Sequence, residues 1–279
     1  MTVSRRAIWL AGAMAAAGAL LLGRDRLTNS QANSPSSAEN AARARRLGEA
    51  QNIIVGFGDP SSFFVAPYLR EDAHVPTVTM EPVQPAAVAP ALDGVEASLR
   101  QYPPGFLGKV IKAIFVCGDM TIGGAPSGGT YGPAWVLLSA PLSIGPEAIR
   151  LTCRLGVHHE FSSFVYMRGD NATRWQQTEP SGWDFATTAK SQIDRDKAMA
   201  PSPDTGFLSA YGATTPENDF NVYAEKMMTE MHAVMDLARA HPIVARKAAF
   251  VRACYSTIDS RMVAVFDSLG MGEVIGTDN

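Results

Sequence analysis

Short apolar runs bounded by turn residues predict a small sheet in the first half of the chain. Val110–Cys117 is the clearest strand, and Trp135–Ser139 is an apolar run of strand length rather than helix length. Ile53–Val55 and Val75–Met80 are shorter strand candidates. We expect the two clearest strands to be neighbours in one sheet, whose edge strand near Gly132–Ser139 borders a cleft.

The segments between these strands predict connections and one short helix. Pro82–Pro90 is rich in Pro and Ala and is interpreted as a connection, followed by a short helix over Val95–Tyr102. Gly123–Gly132 is rich in glycine but lacks the GxxxxGK pattern of a phosphate-binding loop. It is therefore predicted to be an ordinary turn.

The pattern changes to helical periodicity in the second half of the chain. Apolar residues recur at helical spacing over residues 146–167, with Ser143 as a candidate N-terminal cap. Thr215–Pro216 can cap and open a second helix, whose inward face continues to Val234, and a last helix is expected over residues 242–269. The chain is thus predicted to be α+β, with a small mixed β-sheet packed on the first of these helices and a mostly helical C-terminal half.

The N-terminus has the layout of an export signal. Arg5 and Arg6 stand directly before Ala7–Gly23, a run of 17 residues that are small or aliphatic apart from one Met and one Trp. A run of this length is at the lower limit for crossing a bilayer core, and the arginine pair resembles a twin-arginine signal. Charged residues 24–26 follow in place of an A-x-A cleavage site, so a cleaved signal and an uncleaved anchor both stay open. We expect the folded domain in the periplasm, or anchored to the membrane and facing the periplasm or exterior.

A polar stretch separates this segment from the rest. Residues 28–42 are rich in Ser, Asn, Gln and Ala, which is typical of a linker. The predicted organisation is a signal or anchor over residues 1–27, the linker over 28–42, and one domain over 43–279. A domain of that length can bury a sizeable hydrophobic core.

Composition excludes one class of partner and limits the cysteine chemistry. The net charge is −3 and charged residues make up 18% of the chain without a basic cluster, so no nucleic-acid partner is expected. Cys117, Cys153 and Cys254 are widely spaced and form no CxxC motif, which leaves room for one disulfide at most.

The sharpest chemical signal is the segment Val157–Phe164, VHHEFSSF, within the helix predicted over residues 146–167. It begins like HExxH, in which two histidines one turn apart bind zinc and the Glu acts as general base on the metal-bound water. His159 and Glu160 match the first two positions, whereas Ser163 stands where the second His is expected. A hydroxyl is a poor replacement for imidazole. The alternative, in which the histidines only satisfy buried hydrogen bonds, stays open.

A second segment, Gly206–Phe220, reads GFLSAYGATTPENDF. Together the two segments resemble the HExxH-type zinc-peptidase family that includes the anthrax lethal factor catalytic domain and related bacterial peptidases. In that family a Y-G-x-T-N-x-x-E-like stretch follows the HExxH helix; its Tyr assists at the substrate carbonyl and its Glu completes the zinc site. Tyr211 matches the Tyr. The resemblance covers roughly residues 98–235 and implies a zincin-like fold, a zinc cofactor and a peptide or protein substrate.

The family's Glu position falls on Asn218, with an acid on either side. With Phe220 taken as the centre of the buried face, Glu217 lies about 60° away, Asp219 about 100° and Asn218 about 160°. Glu217 is therefore the preferred metal ligand, although acids in a first turn also complement the helix dipole without any metal. Glu225 lies about 140° from the same centre and is predicted to face solvent.

Two functions follow from these residues. The first is a zinc-dependent metallopeptidase of the bacterial envelope, with metal held by His159, Glu217 and either His158 or a serine or water, water activated by Glu160, and Tyr211 stabilising the oxyanion. His158 would need a local distortion of the helix, because adjacent residues point about 100° apart. The second is a metal-free, peptidase-like binding or scaffolding protein, to whose sheet edge an extended peptide could add. The two differ in whether three groups converge on one point.

Overall fold

The computed structural model describes residues 37–64, 78–183, 185 and 202–272. The expected signal segment lies outside these residues, as does most of the expected linker. A helix already begins at Ser37 and continues through the domain boundary expected at Arg43. No helix in the described ranges combines the length and apolarity needed to cross a bilayer. The signal, the linker and the export route therefore stay predictions.

The described segments form helices and short strands. The helices are α1 (Ser37–Gln51), α2 (Pro60–Phe64), α3 (Pro85–Leu99), α4 (Pro146–Tyr166), α5 (Asn171–Gln176), α6 (Pro216–Thr229), α7 (Met231–Ala240), α8 (Pro242–Ile258) and α9 (Arg261–Phe266). The strands are β1 (Ile54–Phe57), β2 (Val78–Met80), β3 (Ala113–Cys117), β4 (Met120–Ile122), β5 (Ala125–Pro126), β6 (Gly129–Tyr131) and β7 (Trp135–Ser139). This confirms the α+β prediction and the helical C-terminal half.

The larger sheet is mixed, with strand order β1-β3-β7-β6. β3 is parallel to both β1 and β7, from Ala113 opposite Trp135 to Cys117 opposite Ser139, and β6 is antiparallel to β7. All five residues of β3 and of β7 are buried, as expected for strands that are covered on both faces. The predicted pairing of these two strands is therefore confirmed.

The predicted edge strand was wrong. β7 lies inside the sheet, and the edge is β6, which belongs to the glycine-rich segment interpreted as a plain turn. Gly129 is the first residue of this strand, and a Cβ atom there would lie 2.7 Å from Oε1 of Glu160, so a larger residue would require that carboxylate to move. Strand propensity does not predict a glycine in β6, since the requirement comes from a carboxylate on a distant helix.

The interpretation of residues 82–90 as a connection was also wrong. α3 begins at Pro85, a first-turn position that tolerates proline, and runs through Pro90. Its buried residues recur at helical spacing and pack against α4. The two helices approach so closely that a Cβ on Gly94 would lie 2.2 Å from the carbonyl oxygen of Arg150. Packing against a neighbouring helix offsets the cost of an internal proline here.

The C-terminal helices begin where the sequence predicted but are shorter. Thr215 caps α6, its Oγ1 accepting a hydrogen bond of 3.0 Å from the N–H of Asn218. The expected continuation to Val234 is interrupted at Glu230, whose φ of −139° is not helical, and the expected last helix is interrupted at Asp259. No Pro or Gly marks either break, so hydrophobic periodicity alone predicts one helix where two are found.

Helix α4 positions the candidate site because it lies at the centre of the fold. It packs against α3 on one side, α6 on another, and β6 and β7 of the sheet. Its N-terminal cap is Gly145 rather than the expected Ser143. Every residue from Gly156 to Ser163 is buried, so its polar side chains must find partners inside the protein. All three cysteines are buried free thiols, and the disulfide left open by the sequence does not form.

Candidate functional site

The site lies where α4, α6 and β6 meet. His159 of α4 is 3% exposed, and its Nδ1 is 3.0 Å from Oε2 of Glu225 on α6. The carboxylate can only accept, so Nδ1 carries the proton of this hydrogen bond. Tyr211 packs beside the imidazole with ring centroids 5.5 Å apart. Burial lowers the pKa of His159, but the bond to Glu225 and the charges of nearby carboxylates outweigh it, so that the pKa is raised overall.

Glu160 lies on the sheet side of the same helix. It is 6% exposed and packs against Gly129 at the sheet edge. Its pKa is raised to about 7: burial is the main cause, the charge of His159 opposes it in part, and the charges of Glu217 and Glu225 add to it. A carboxyl with that pKa exchanges its proton near neutral pH, which suits general acid–base chemistry.

Glu217 reaches the same cluster from the first turn of α6. The hydroxyl of Tyr131 in β6 donates a hydrogen bond of 2.6 Å to its Oε1. Burial raises the pKa of the Glu217 carboxyl, while the hydrogen bonds from Tyr131 and Ser163 and the charge of His159 lower it in part. The structure therefore brings together Glu217, His159, Glu160 and Tyr211, four of the five predicted site residues.

A hydrogen-bonded bridge occupies the position of the missing second histidine. Asn221 of α6 donates from Nδ2 to Oγ of Ser163 at 2.8 Å, and its Oδ1 lies 2.6 Å from Oγ of Ser162. All three side chains are at most 3% exposed. Neutral side chains of α4 and α6 thus hydrogen-bond to one another at this position. We call Ser162, Ser163 and Asn221 the Ser–Asn bridge.

The fifth predicted site residue, His158, belongs to a different environment. Its Nδ1 is 2.8 Å from the hydroxyl of Tyr102, and its ring is fully buried. Burial lowers its pKa to about 3, with a further contribution from the charge of Arg154, so the ring is neutral. α4 is continuous from Pro146 to Tyr166, without the local distortion that a ligand role for His158 would need.

These residues do not fit a three-ligand zinc centre. Catalytic zinc is usually held by three protein groups, and within the described ranges no group of three or more His, Cys, Asp or Glu residues is arranged to hold a metal ion. Glu225 already engages Nδ1 of His159, and the Ser–Asn bridge supplies only neutral, mutually bonded atoms.

The sequence reasoning missed the inward position of Glu225. It was predicted to face solvent, but its side chain is 15% exposed and bonds His159. α6 is buried on two faces: Phe220 contacts Trp175 of α5, while Asn221 and Glu225 on another face bond side chains of α4. The sequence does contain a pattern that indicates this contact. Asn221 and Glu225 are four residues apart, as are His159 and Ser163, and two pairs with that spacing can align across two packed helices.

Comparison with known proteins adds little to this geometry. No family model matches the chain, and no curated protein matches it. One similar solved structure is the crystal structure of a "putative zinc-binding metallo-peptidase" from Bacteroides caccae, with 15% sequence identity over 85% of this chain and 97% of that chain and a TM-score of 0.44. A likeness at that level carries no argument about activity, so the function has to be argued from the site.

Proposed function

We propose that this chain is a metal-free, peptidase-like binding protein of the bacterial cell envelope. The observation that carries the proposal is the Ser–Asn bridge, in which Asn221 bonds Ser163 at the position of the second histidine. Binding a metal between these helices would separate the two side chains. That would break the hydrogen bond between Asn221 and Ser163, at a net cost of about 1 kcal/mol, and the bridge offers only a neutral hydroxyl and a neutral amide as ligands in exchange.

The edge strand β6 is the proposed binding surface. β6 pairs with β7 on one side and ends the described sheet on the other. An extended peptide can add to such an edge through main-chain hydrogen bonds. Glu160 lies directly against Gly129 of this strand, so the buried acidic cluster is next to the proposed peptide.

The envelope location rests on the N-terminal sequence. The arginine pair and the apolar run Ala7–Gly23 support export and, if uncleaved, attachment to the membrane. Cell fractionation of the full chain beside a variant with both Arg5 and Arg6 changed to Lys tests this. We expect loss of export in the variant; unchanged export would contradict the twin-arginine route.

A second candidate function, the zinc-dependent metallopeptidase, is favoured by one observation. Histidines that bind metals commonly donate their other ring N–H to a carboxylate, and His159 donates from Nδ1 to Glu225. The remaining ring nitrogen would then be the ligand atom, with Glu217 as a second ligand. The Ser–Asn bridge supplies no third ligand, and for that reason this candidate ranks second.

Metal content separates the two functions. The purified chain is dialysed against zinc and analysed by plasma mass spectrometry, together with His159→Ala and, as a matched control, His232→Ala, which removes an exposed histidine. We expect no stoichiometric zinc in any of the three proteins. Near-stoichiometric zinc in the wild type and the control, lost in His159→Ala, would overturn the metal-free proposal and establish the second candidate.

A further inference from the structure

A second set of ionisable side chains is buried apart from the imidazole cluster. Lys247 of α8 is fully buried, and its Nζ is 2.7 Å from Oδ2 of Asp219 on α6. The same nitrogen is 2.7 Å from Oε2 of Glu179, which precedes the undescribed segment after residue 185. The side chains of both acids are also buried, at 0% and 6% exposure. We call these three residues the Lys–Asp–Glu triad.

Aromatic rings enclose the triad. Nζ of Lys247 lies 4.7 Å from the ring centroid of Phe207, 5.3 Å from Trp175 and 5.8 Å from Tyr223. Within the described structure, Oδ1 of Asp219 and Oε1 of Glu179 are buried without a hydrogen-bond partner. An ammonium and two carboxylates are costly to keep charged in such surroundings, and buried ion pairs often fail to recover that cost.

The geometry points to a covalent product, and we propose that Lys247 and Asp219 condense to an intramolecular isopeptide bond. The attacked carbon, Cγ of Asp219, is bonded to the oxygen that Nζ already contacts. The amine of Lys247 attacks this carbon, a C–N bond forms, and one C–O bond of the carboxyl breaks. The departing oxygen leaves as water, and the side chains of Lys247 and Asp219 become one neutral amide. No oxidant or reductant is required.

Glu179 has a definite role in this step. Its carboxylate contacts the same nitrogen, so it can accept a proton from the attacking amine and return it to the departing oxygen. The apolar surroundings favour the protonated carboxyl of Asp219, from which water can leave, and they restrict access of the water that would hydrolyse the product. Consistently, burial raises the pKa of Asp219 well above its usual range, and Glu179 raises it further, although the charge of Lys247 opposes both.

Proximity supplies the driving force that the same reaction lacks between free molecules. Groups held in contact react with effective molarities of about 10⁵ M or more. Asp219 and Lys247 are held on two packed helices, α6 and α8. A second Lys–Asp pair serves as an internal control: Nζ of Lys109 is 2.8 Å from Oδ2 of Asp259, but the lysine is 45% exposed and Arg261 shares the carboxylate. We expect no bond there.

Mass spectrometry of the full-length chain tests the proposal. The denatured chain is expected to weigh less than its sequence by the mass of one water molecule. Trypsin is expected to release residues 198–226 joined to residues 247–252, because a modified Lys247 is not cleaved. Lys109 and Asp259 are expected in separate, unmodified peptides. A chain of full mass, with residues 198–226 and 248–252 recovered as free peptides, would overturn the proposal.

Two variants assign the roles. Glu179→Gln keeps both reacting groups but lacks the proton acceptor, and we expect its mass to equal that of its full sequence, with no water lost. Asp219→Ala lacks the reacting carboxyl and cannot form the bond. Mass is measured on denatured protein, whereas formation of the bond requires the native fold. Circular dichroism of the undenatured Glu179→Gln protein therefore shows whether its full mass reflects the missing carboxylate or a lost fold. Loss of water in Glu179→Gln would refute the proton-transfer role of Glu179, and a link from Lys247 to residues 175–190 in the wild type would refute the assignment to Asp219.

Discussion

Helix α6 contributes side chains to two sets of buried polar residues, which differ in how their charge is compensated. On the face toward α4, three carboxylates of Glu160, Glu217 and Glu225 surround one imidazole, and no described Lys or Arg forms an ion pair with them. On the face toward α8, Lys247 contacts two acids directly. The first set can lower its charge only by binding protons or a cation. The second contains the amine of Lys247, which compensates the charge of Asp219 either as an ion pair or, after the proposed condensation, as a neutral amide.

This difference predicts which single residues the stability of each set depends on. The set that contains Lys247 is expected to be sensitive to loss of that one residue, because both buried acids would lose the group that contacts them. A set with excess acid is expected to tolerate, or even gain from, loss of a carboxylate. The following experiments test this comparison in order of expected effect.

The largest effect is expected from Lys247→Met. The change leaves Asp219 and Glu179 buried with neither the ammonium nor the proposed amide of Lys247. Removing one partner from such a buried polar set destabilises proteins by about 3–5 kcal/mol. Chemical denaturation measures the free energy of unfolding. Lys226→Met on α6 is the matched control, because Lys226 pairs with a half-exposed Glu230 and should cost at most about 1 kcal/mol. If Lys247→Met and Lys226→Met lowered the free energy of unfolding equally, stability would not depend specifically on Lys247.

The second effect is the pH dependence produced by Glu160. Its folded pKa is about 7, above the unfolded value of about 4.3. The folded state therefore binds more protons, so the stabilising contribution is complete below pH of about 4 and is lost as pH rises through about 7. The loss is on the order of 3 kcal/mol by pH 8.

Glu160→Gln should remove this part of the pH dependence and make the protein more stable than wild type at pH 8. Denaturation curves at pH 5 and pH 8 measure it. Glu147→Gln, an exposed acid on the same helix, is the control and should leave the pH dependence unchanged. A wild-type chain whose stability is equal at both pH values would contradict the burial of an unpaired carboxylate.

A third experiment supplies the cation from outside. Replacing the Ser–Asn bridge by metal ligands, in the double variant Ser163→His and Asn221→Glu, should create a set of three with His159. Zinc at 100 times its dissociation constant would then raise the free energy of unfolding by about 2.7 kcal/mol. Thermal denaturation with and without zinc measures this effect. Ser163→His alone keeps Glu217 and should bind zinc poorly; tight binding by that single variant would show Glu217 to be the downstream ligand.

The smallest effect is expected from Tyr131→Phe. This change removes the hydrogen bond of the Tyr131 hydroxyl to Glu217, and the net loss is about 1 kcal/mol. It also removes a group that lowers the pKa of Glu217, so the stability loss should be larger above neutral pH than below it. Thr130→Ala in the same strand is the control. An equal loss of stability at both pH values would show that Tyr131 does not affect the pKa of Glu217.

Local patterns predicted the parts of the site that belong to one segment. The helix over residues 146–166 follows from its apolar spacing, and the cap at Thr215 follows from the Thr-Pro pair. The motif HHExxS identified His159 and Glu160 because zinc chemistry requires those residue types in adjacent positions. Glu225 and Asn221 were not identified, because α6 is buried on two faces and one buried stripe could not locate both.

The α+β class, the pairing of β3 with β7 and the lack of a second histidine at Ser163 all follow from the pattern of residues along the chain. Tertiary structure decided what fills that position, since Asn221 is 58 residues away along the chain and meets Ser163 only when α6 packs on α4. It also decided the edge strand, because β6 pairs with β7 on one side and ends the described sheet on the other, with Gly129 packed against the carboxylate of Glu160. Hydrophobic spacing is a property of one segment, whereas hydrogen-bond partners and close approaches depend on how separate segments pack.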